Sequence, residues 1–251
     1  MFDHIQIATI LVTYVAVIFA LSVHEAAHAT AAYLLEDDTA RRMGRMTLNP
    51  LAHMDLVGTV VLPLLGMVTG ARVLGWAKPV PVDASRLTRR FTARVGYAMV
   101  AAAGPASNML QSLVFLILLT FVIRYAVPVE PVERMMLLRA SMGAPVEAFL
   151  REPTFSAVSV LAMTLLGRLV IINIGLAIFN LLPFGPLDGA GILRGFLPYQ
   201  MLPTFDRVQP AITIVLLILF LIGVMGPMLS PFFTVAERFY LLPLGRLLLG
   251  V

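Results

Sequence analysis

The chain has 251 residues, of which 59% are hydrophobic and 13% charged, with a formal net charge of +4 and no cysteine. Soluble domains hold about 25% charged residues, so several long apolar runs in so uncharged a chain indicate a polytopic membrane protein. Without cysteine there are no disulfides and no thiolate ligands or nucleophiles. The surplus arginines flank apolar segments, a membrane topology signal rather than a nucleic-acid footprint.

The first apolar segment, Ile5 to Leu35, carries His24-Glu25-Ala26-Ala27-His28. As a helix it is about 45 Å long, more than the ~30 Å hydrocarbon core requires. Residues four apart share a helix face, so His24 and His28 can offer two imidazoles to one metal ion. Zinc suits imidazole, and Glu25 would serve as general base on a metal-bound water. Two imidazoles and a carboxylate inside an apolar helix are costly unless paired or metal-bound. The plainer reading is a set of satisfied polar residues facing a bundle interior. The N-terminus carries Asp3 rather than a basic leader. Removal of this segment would also remove the motif, so no cleavable signal peptide is expected.

A basic stretch, Arg41, Arg42 and Arg45, follows and assigns the end of the first helix to the cytoplasm. Then come Thr47-Leu48-Asn49-Pro50-Leu51-Ala52-His53-Met54-Asp55 and the apolar Leu56–Gly70, whose length fits a re-entrant segment as well as a span. His53 has three readings: a fourth metal ligand in a resting state, a residue lining the substrate entrance, or an anchor for this segment. Val73 to Asp83 contains Pro79 and Pro81, which cannot donate to a ladder on one side. It reads either as an interfacial connector with Trp76 at the membrane surface or as an edge able to pair with an extended peptide.

The second firm span is Val95 to Ile123. It contains Gly104-Pro105-Ala106-Ser107-Asn108. Small residues let helices approach closely, and Asn108 needs a partner at that depth. An interhelical hydrogen bond supplies one on chemistry alone; a substrate contact is the alternative. Arg124–Pro153 is charge-balanced and proline-rich, consistent with short amphipathic helices on the outer face. The third span, Ser156 to Leu182, carries Arg168, which must face a partner or a wet cavity. It ends in Asn180-Leu181-Leu182-Pro183-Phe184-Gly185-Pro186-Leu187-Asp188-Gly189. Running from outside to inside, it brings Asp188 to the side of the membrane that holds His24 and His28. A carboxylate there would complete two His and one acid, leaving the fourth position to water. A further span is predicted over Ala211–Val224 with Pro210 at its first position. Leu229–Val251, broken by Pro231 and Pro243, is a final short span or an interfacial helix.

The three motifs, in this order, resemble those of the site-2 protease family of intramembrane zinc metalloproteases, in the compact bacterial branch. The last motif matches every fixed position of Asn-x-x-Pro-x-x-Pro-x-Asp-Gly, and the resemblance covers the core to about Arg194. It implies one zinc per chain held by His24, His28 and Asp188, and Glu25 as catalytic base. It implies that Asn180 contacts the substrate backbone or the developing oxyanion. It also raises Trp76–Val82, with Val80, as the counterpart of a membrane-associated β-hairpin that pairs with unwound substrate. The chain departs from the family in carrying neither a PDZ domain nor a CBS pair, and Ala190 stands where a second glycine is usual.

The expectation is an all-α polytopic helical bundle with an intramembrane zinc site and a possible re-entrant segment or β-hairpin. Residues 1–251 form a single domain with a catalytic core over about 5–194 and extra membrane helices over 208–251. The enzyme would sit in a bacterial cytoplasmic membrane with its site toward the cytoplasm. It would hydrolyse membrane-embedded or membrane-tethered proteins, a tethered regulator among them, with the lipid bilayer and not nucleic acid as its other partner. The rival is a non-catalytic metal-binding membrane protein or transporter. Glu25 separates them, because a transporter needs ligands but no base.

The charge pattern makes the sidedness testable. Single cysteines at Thr39 and Glu147, in this cysteine-free background, should label from opposite faces of sealed vesicles. Labelling from one face would overturn the topology.

Overall fold

The computed structural model describes residues 4–69, 75–88, 90–143 and 155–251. Among the described residues there are helices and loops but no strand. In chain order the helices are α1 (His4–Leu34), α2 (Thr39–Arg42), α3 (Pro50–His53), α4 (Leu62–Thr69), α5 (Ala93–Tyr125), α6 (Pro131–Gly143), α7 (Ala157–Asn180), α8 (Asp188–Phe196), α9 (Leu202–Leu221), α10 (Met225–Ala236) and α11 (Leu242–Leu249). Among the described residues four helical stretches are long and apolar enough to cross a membrane: Ala8–Leu34, Ala93–Tyr125, Ala157–Asn180 and Tyr199–Leu221. Three of them coincide with the spans expected from hydropathy, with ends shifted by a few residues.

Several expectations change in detail. The fourth span begins at Leu202 rather than Ala211, and Pro210 lies inside α9. Pro203, one residue in, takes the starting position. The polar positions Asp206 and Gln209 lie inside the helix, where Asp206 pairs with Arg194 and Gln209 holds the Gly185 N–H. Leu56–Val61 is a π-helical turn running on into α4, so the ambiguous apolar stretch is helical as far as Thr69. The C-terminal stretch is also helical, with Pro231 inside α10 and Pro243 in the first turn of α11. Trp76–Val82 has no regular secondary structure, and no ladder forms among the described residues. The Arg124–Pro153 stretch contains α6, with residues 144–154 outside the described residues.

The chain divides into two compact units. One comprises residues 1–20, 109–175 and 232–251. Its interior holds Leu116, Leu119, Ile123, Leu138, Met163 and Val170, each at least nine-tenths buried. Arg124 and Arg134 donate to the carbonyls of Leu248 and Leu249, closing the end of α11. Arg168, in its expected span, donates to the Met142 carbonyl at 3.5 Å.

The other unit comprises residues 21–108 and 176–231 and contains all three motifs. Here α1 ends in a Schellman turn. The Asp37 N–H reaches back to the Ala32 carbonyl at 2.9 Å and the Glu36 N–H to Tyr33 at 3.0 Å. Glu36 adopts φ +76°, a left-handed conformation usually left to glycine, at a cost of roughly 1 kcal/mol. The turn delivers Asp37 into a fully buried position. In the same unit, α8 lies against α5. Cβ atoms at Gly191 and Gly195 would press on Tyr97, Ala98 and Ala101, so glycine at i and i+4 lets the two backbones approach.

Candidate metal and active site

His24, Glu25 and His28 lie on α1, where the 3.6-residue period puts the two imidazoles on one face. Their Nε2 atoms are 3.1 Å apart. Asp188 is the first residue of α8, and its oxygens lie 3.2 Å from His24 Nε2 and 3.3 Å from His28 Nε2. One ligand atom from each of the three residues falls within 4.8 Å of the others. Among the described residues no other group of three or more His, Asp or Glu converges in this way.

The tautomers follow from what stands behind the rings. His24 Nδ1 is 2.6 Å from Asn108 Oδ1, and His28 Nδ1 is 2.8 Å from the Val100 carbonyl. A carbonyl oxygen can only accept, so each imidazole carries its proton on Nδ1 and turns an Nε2 lone pair inward. Two lone pairs then face a carboxylate with no proton between them. Consistently, Asp188 Oδ2 is buried without a hydrogen-bond partner. Such an arrangement is repulsive until a cation joins it. The residues present therefore fit a divalent metal, and nitrogen and oxygen donors in a 2-His-1-carboxylate set suit zinc.

Asn108 is thus placed behind His24 rather than in the substrate space, which supports the interhelical hydrogen bond that chemistry alone favours. It is fully buried. One turn earlier on the same face of α5 is Gly104. A Cβ there would collide with His28 Nε2 and come within 2.5 Å of His24 Cε1. The Gly104-Pro105-Ala106-Ser107-Asn108 motif accordingly does two things: its glycine admits the two rings, and its asparagine orients one of them.

Glu25 is buried, and its Oε2 accepts a hydrogen bond from the Val80 N–H at 3.0 Å. His24, Glu25, His28, Trp76, Val80, Asn180 and Asp188 all line one cavity of about 540 Å³. Leu21, Tyr97, Leu176 and Phe179 give it apolar walls. The Asn180 side chain lies at the end of α7, its Nδ2 donating to the Leu176 carbonyl at 3.1 Å. His53 is not among the lining residues. It is buried, and its Nε2 donates to the Thr47 carbonyl at 2.7 Å. That contact favours the anchoring reading over the fourth ligand.

Sequence reasoning alone does not find the supports of the Asp188 loop. Gln209 Oε1 accepts from the Gly185 N–H at 2.6 Å, and the Thr213 hydroxyl donates to the Gly185 carbonyl. Both supports lie on α9, four residues apart, and their only sequence signal is polarity beside the apolar stretch of that helix.

Residues 12–223 match the family described as Peptidase family M50. The chain belongs to peptidase family M50. It is also 32% identical over 222 residues to a Bacillus subtilis (strain 168) protein named "Putative zinc metalloprotease YwhC", a match covering 86% of this chain and 84% of that one. No solved structure matches. With its apolar spans, the M50 chain is a zinc metalloprotease of the membrane, as the three motifs imply.

Two substitutions test the geometry. Asn108→Leu should weaken zinc binding by about 10- to 100-fold while the chain still inserts, because it removes the oxygen that fixes the His24 tautomer. Gly104→Ala should do at least as much by displacing both rings. Titration of the purified protein with a zinc chelator checks both; unchanged affinity in Gly104→Ala would contradict the packing described here.

Proposed function

We propose that this M50 peptidase hydrolyses membrane-embedded or membrane-tethered proteins at one zinc ion per chain, held by His24, His28 and Asp188, with Glu25 as general base. The observation that carries this reading is the pair of Nδ1 contacts to Asn108 and Val100, which leaves both Nε2 lone pairs facing Asp188. When bound, zinc supplies Lewis acidity that polarises the scissile carbonyl and acidifies water.

The remaining work falls to the chain. Glu25 follows His24 directly, so the α1 backbone sets its distance from the ligands. The Val80 N–H holds one of its carboxylate oxygens and leaves the other to take a proton from water and pass it to the leaving amine. The Asn180 amide, at the cavity wall, would donate to the developing oxyanion or to the substrate backbone. A helical substrate hides its carbonyls in intrahelical bonds, so it must unwind before cleavage. Trp76 and Val80 line the cavity from the extended segment, where an unwound chain could lie alongside. The basic residues Arg41, Arg42 and Arg45 favour a site opening toward the cytoplasm of a bacterial cell, and release of a tethered regulator fits that side.

Glu25→Gln should retain zinc and fold but lose proteolysis of a transmembrane substrate. Asp188→Ala and the His24→Ala/His28→Ala double variant should lose zinc as well. Elemental analysis beside a cleavage assay checks this; near-wild-type turnover by Glu25→Gln would reject Glu25 as the base, and absence of cleavage by the wild type would restore the non-catalytic reading. A membrane proteome comparison of wild type and Glu25→Gln should reveal substrates as tethered fragments that accumulate only with the variant.

A further inference from the structure

The extended segment from Trp76 to Asp83 has no secondary structure to hold it, yet several of its backbone groups are tied down by other parts of the chain. The Trp76 N–H donates to the Gly58 carbonyl at 3.2 Å, and the Thr59 hydroxyl donates to the Trp76 carbonyl at 2.8 Å. The Lys78 N–H donates to the His53 carbonyl at 2.8 Å. The Asp83 N–H donates to the buried Asp37 carboxylate at 2.8 Å. In the middle, Arg45 Nη2 donates to the Lys78 carbonyl and reaches the Pro79 carbonyl at 3.4 Å. The next residue is Val80, whose N–H holds Glu25.

Arg45 is 6% exposed, and among the described residues no carboxylate forms an ion pair with it. Burying a guanidinium on carbonyl partners alone is an expensive way to gain stability. It is an effective way to fix position, because the planar fork holds acceptors at set angles. Pro79 and Pro81 flank Val80 and stiffen the backbone there, so a displacement at Lys78 carries to the Val80 N–H.

We propose that Arg45 is a positioning residue for the catalytic base: by clamping the Lys78 and Pro79 carbonyls it sets the Val80 N–H against Glu25. The proposal rests on the reading of Glu25 as base. His53, Asp55 and Thr59 belong to the same cradle. The Asp55 carboxylate caps the π-helical turn through the Val57 and Gly58 N–H groups, and the His53 and Gly58 carbonyls hold the strap. Gly58 admits the Trp76 indole, which a Cβ would approach to 2.5 Å.

Trp76 is the only tryptophan in the chain, so its fluorescence reports the strap directly. In the purified full-length enzyme, Arg45→Met should lower kcat about 10- to 100-fold with zinc content kept, as loss of a supporting partner does. Trp76 should become more accessible to acrylamide quenching in the same variant. Arg45→Lys, which keeps one cationic donor, should recover part of both. Val80→Pro removes the N–H from a residue already confined to extended backbone by Pro81 and should cost a similar factor. The Arg45→Met/Val80→Pro double variant should be no slower than the worse single one, since both act through one hydrogen bond. Wild-type turnover in Arg45→Met, or losses that multiply in the double variant, would overturn the proposal. If Arg45→Met does not accumulate, Arg45→Lys and Val80→Pro decide: a full-rate Val80→Pro enzyme rejects it. Glu25→Gln runs alongside. Residual turnover there would reject the base assignment itself, while the Trp76 quenching would still report whether Arg45 holds the strap.

Discussion

Two protons, one on each Nδ1 of His24 and His28, set the terms for the rest of the active unit. They are committed to an asparagine oxygen and a main-chain carbonyl of α5, so both rings must present lone pairs to the same small volume. That volume then suits a cation, and the start of α8 supplies the carboxylate. Burial raises the stakes: in a low dielectric, unpaired lone pairs and an orphaned carboxylate oxygen are far costlier than in water. The site is therefore coherent only when α1, α5 and the start of α8 are all in register.

Much of this was readable in the chain. His24, Glu25 and His28 are local, and helical period alone places them on one face. Asp188 was reachable because carboxylates beside an apolar span are scarce and the surrounding motif is long. Three spans were legible because a predominantly apolar run of more than twenty residues has few other fates. Asn108 could be given a partner in kind, an interhelical one, but not by name.

What remained hidden was non-local or main-chain. Gly104 reads as a packing residue until the rings it accommodates are seen. The Arg45 partners are carbonyls more than thirty residues away, and a carbonyl has no letter in the sequence. Gln209 fell outside the expected span because Pro210 beside it suggested a helix start. Helices in lipid accept an interior proline where neighbouring groups satisfy what it frees, so the local rule failed there for a physical reason. His53 invited a ligand role by its residue type, and its Thr47 contact favours an anchor instead.

The missing side chain at Gly104 bears on how such a sequence can change over generations. A single base substitution that adds even a methyl at this codon pushes into the two rings at once, although the codons for those histidines are untouched and lie far upstream. No change confined to α1 can make room, because moving the rings away also pulls their Nδ1 protons off Asn108 and Val100. Position 104 and the pair of histidines therefore drift together or not at all. A copy of this protein that has lost the glycine would carry a weakened site, even where its histidine motif is still spelled correctly.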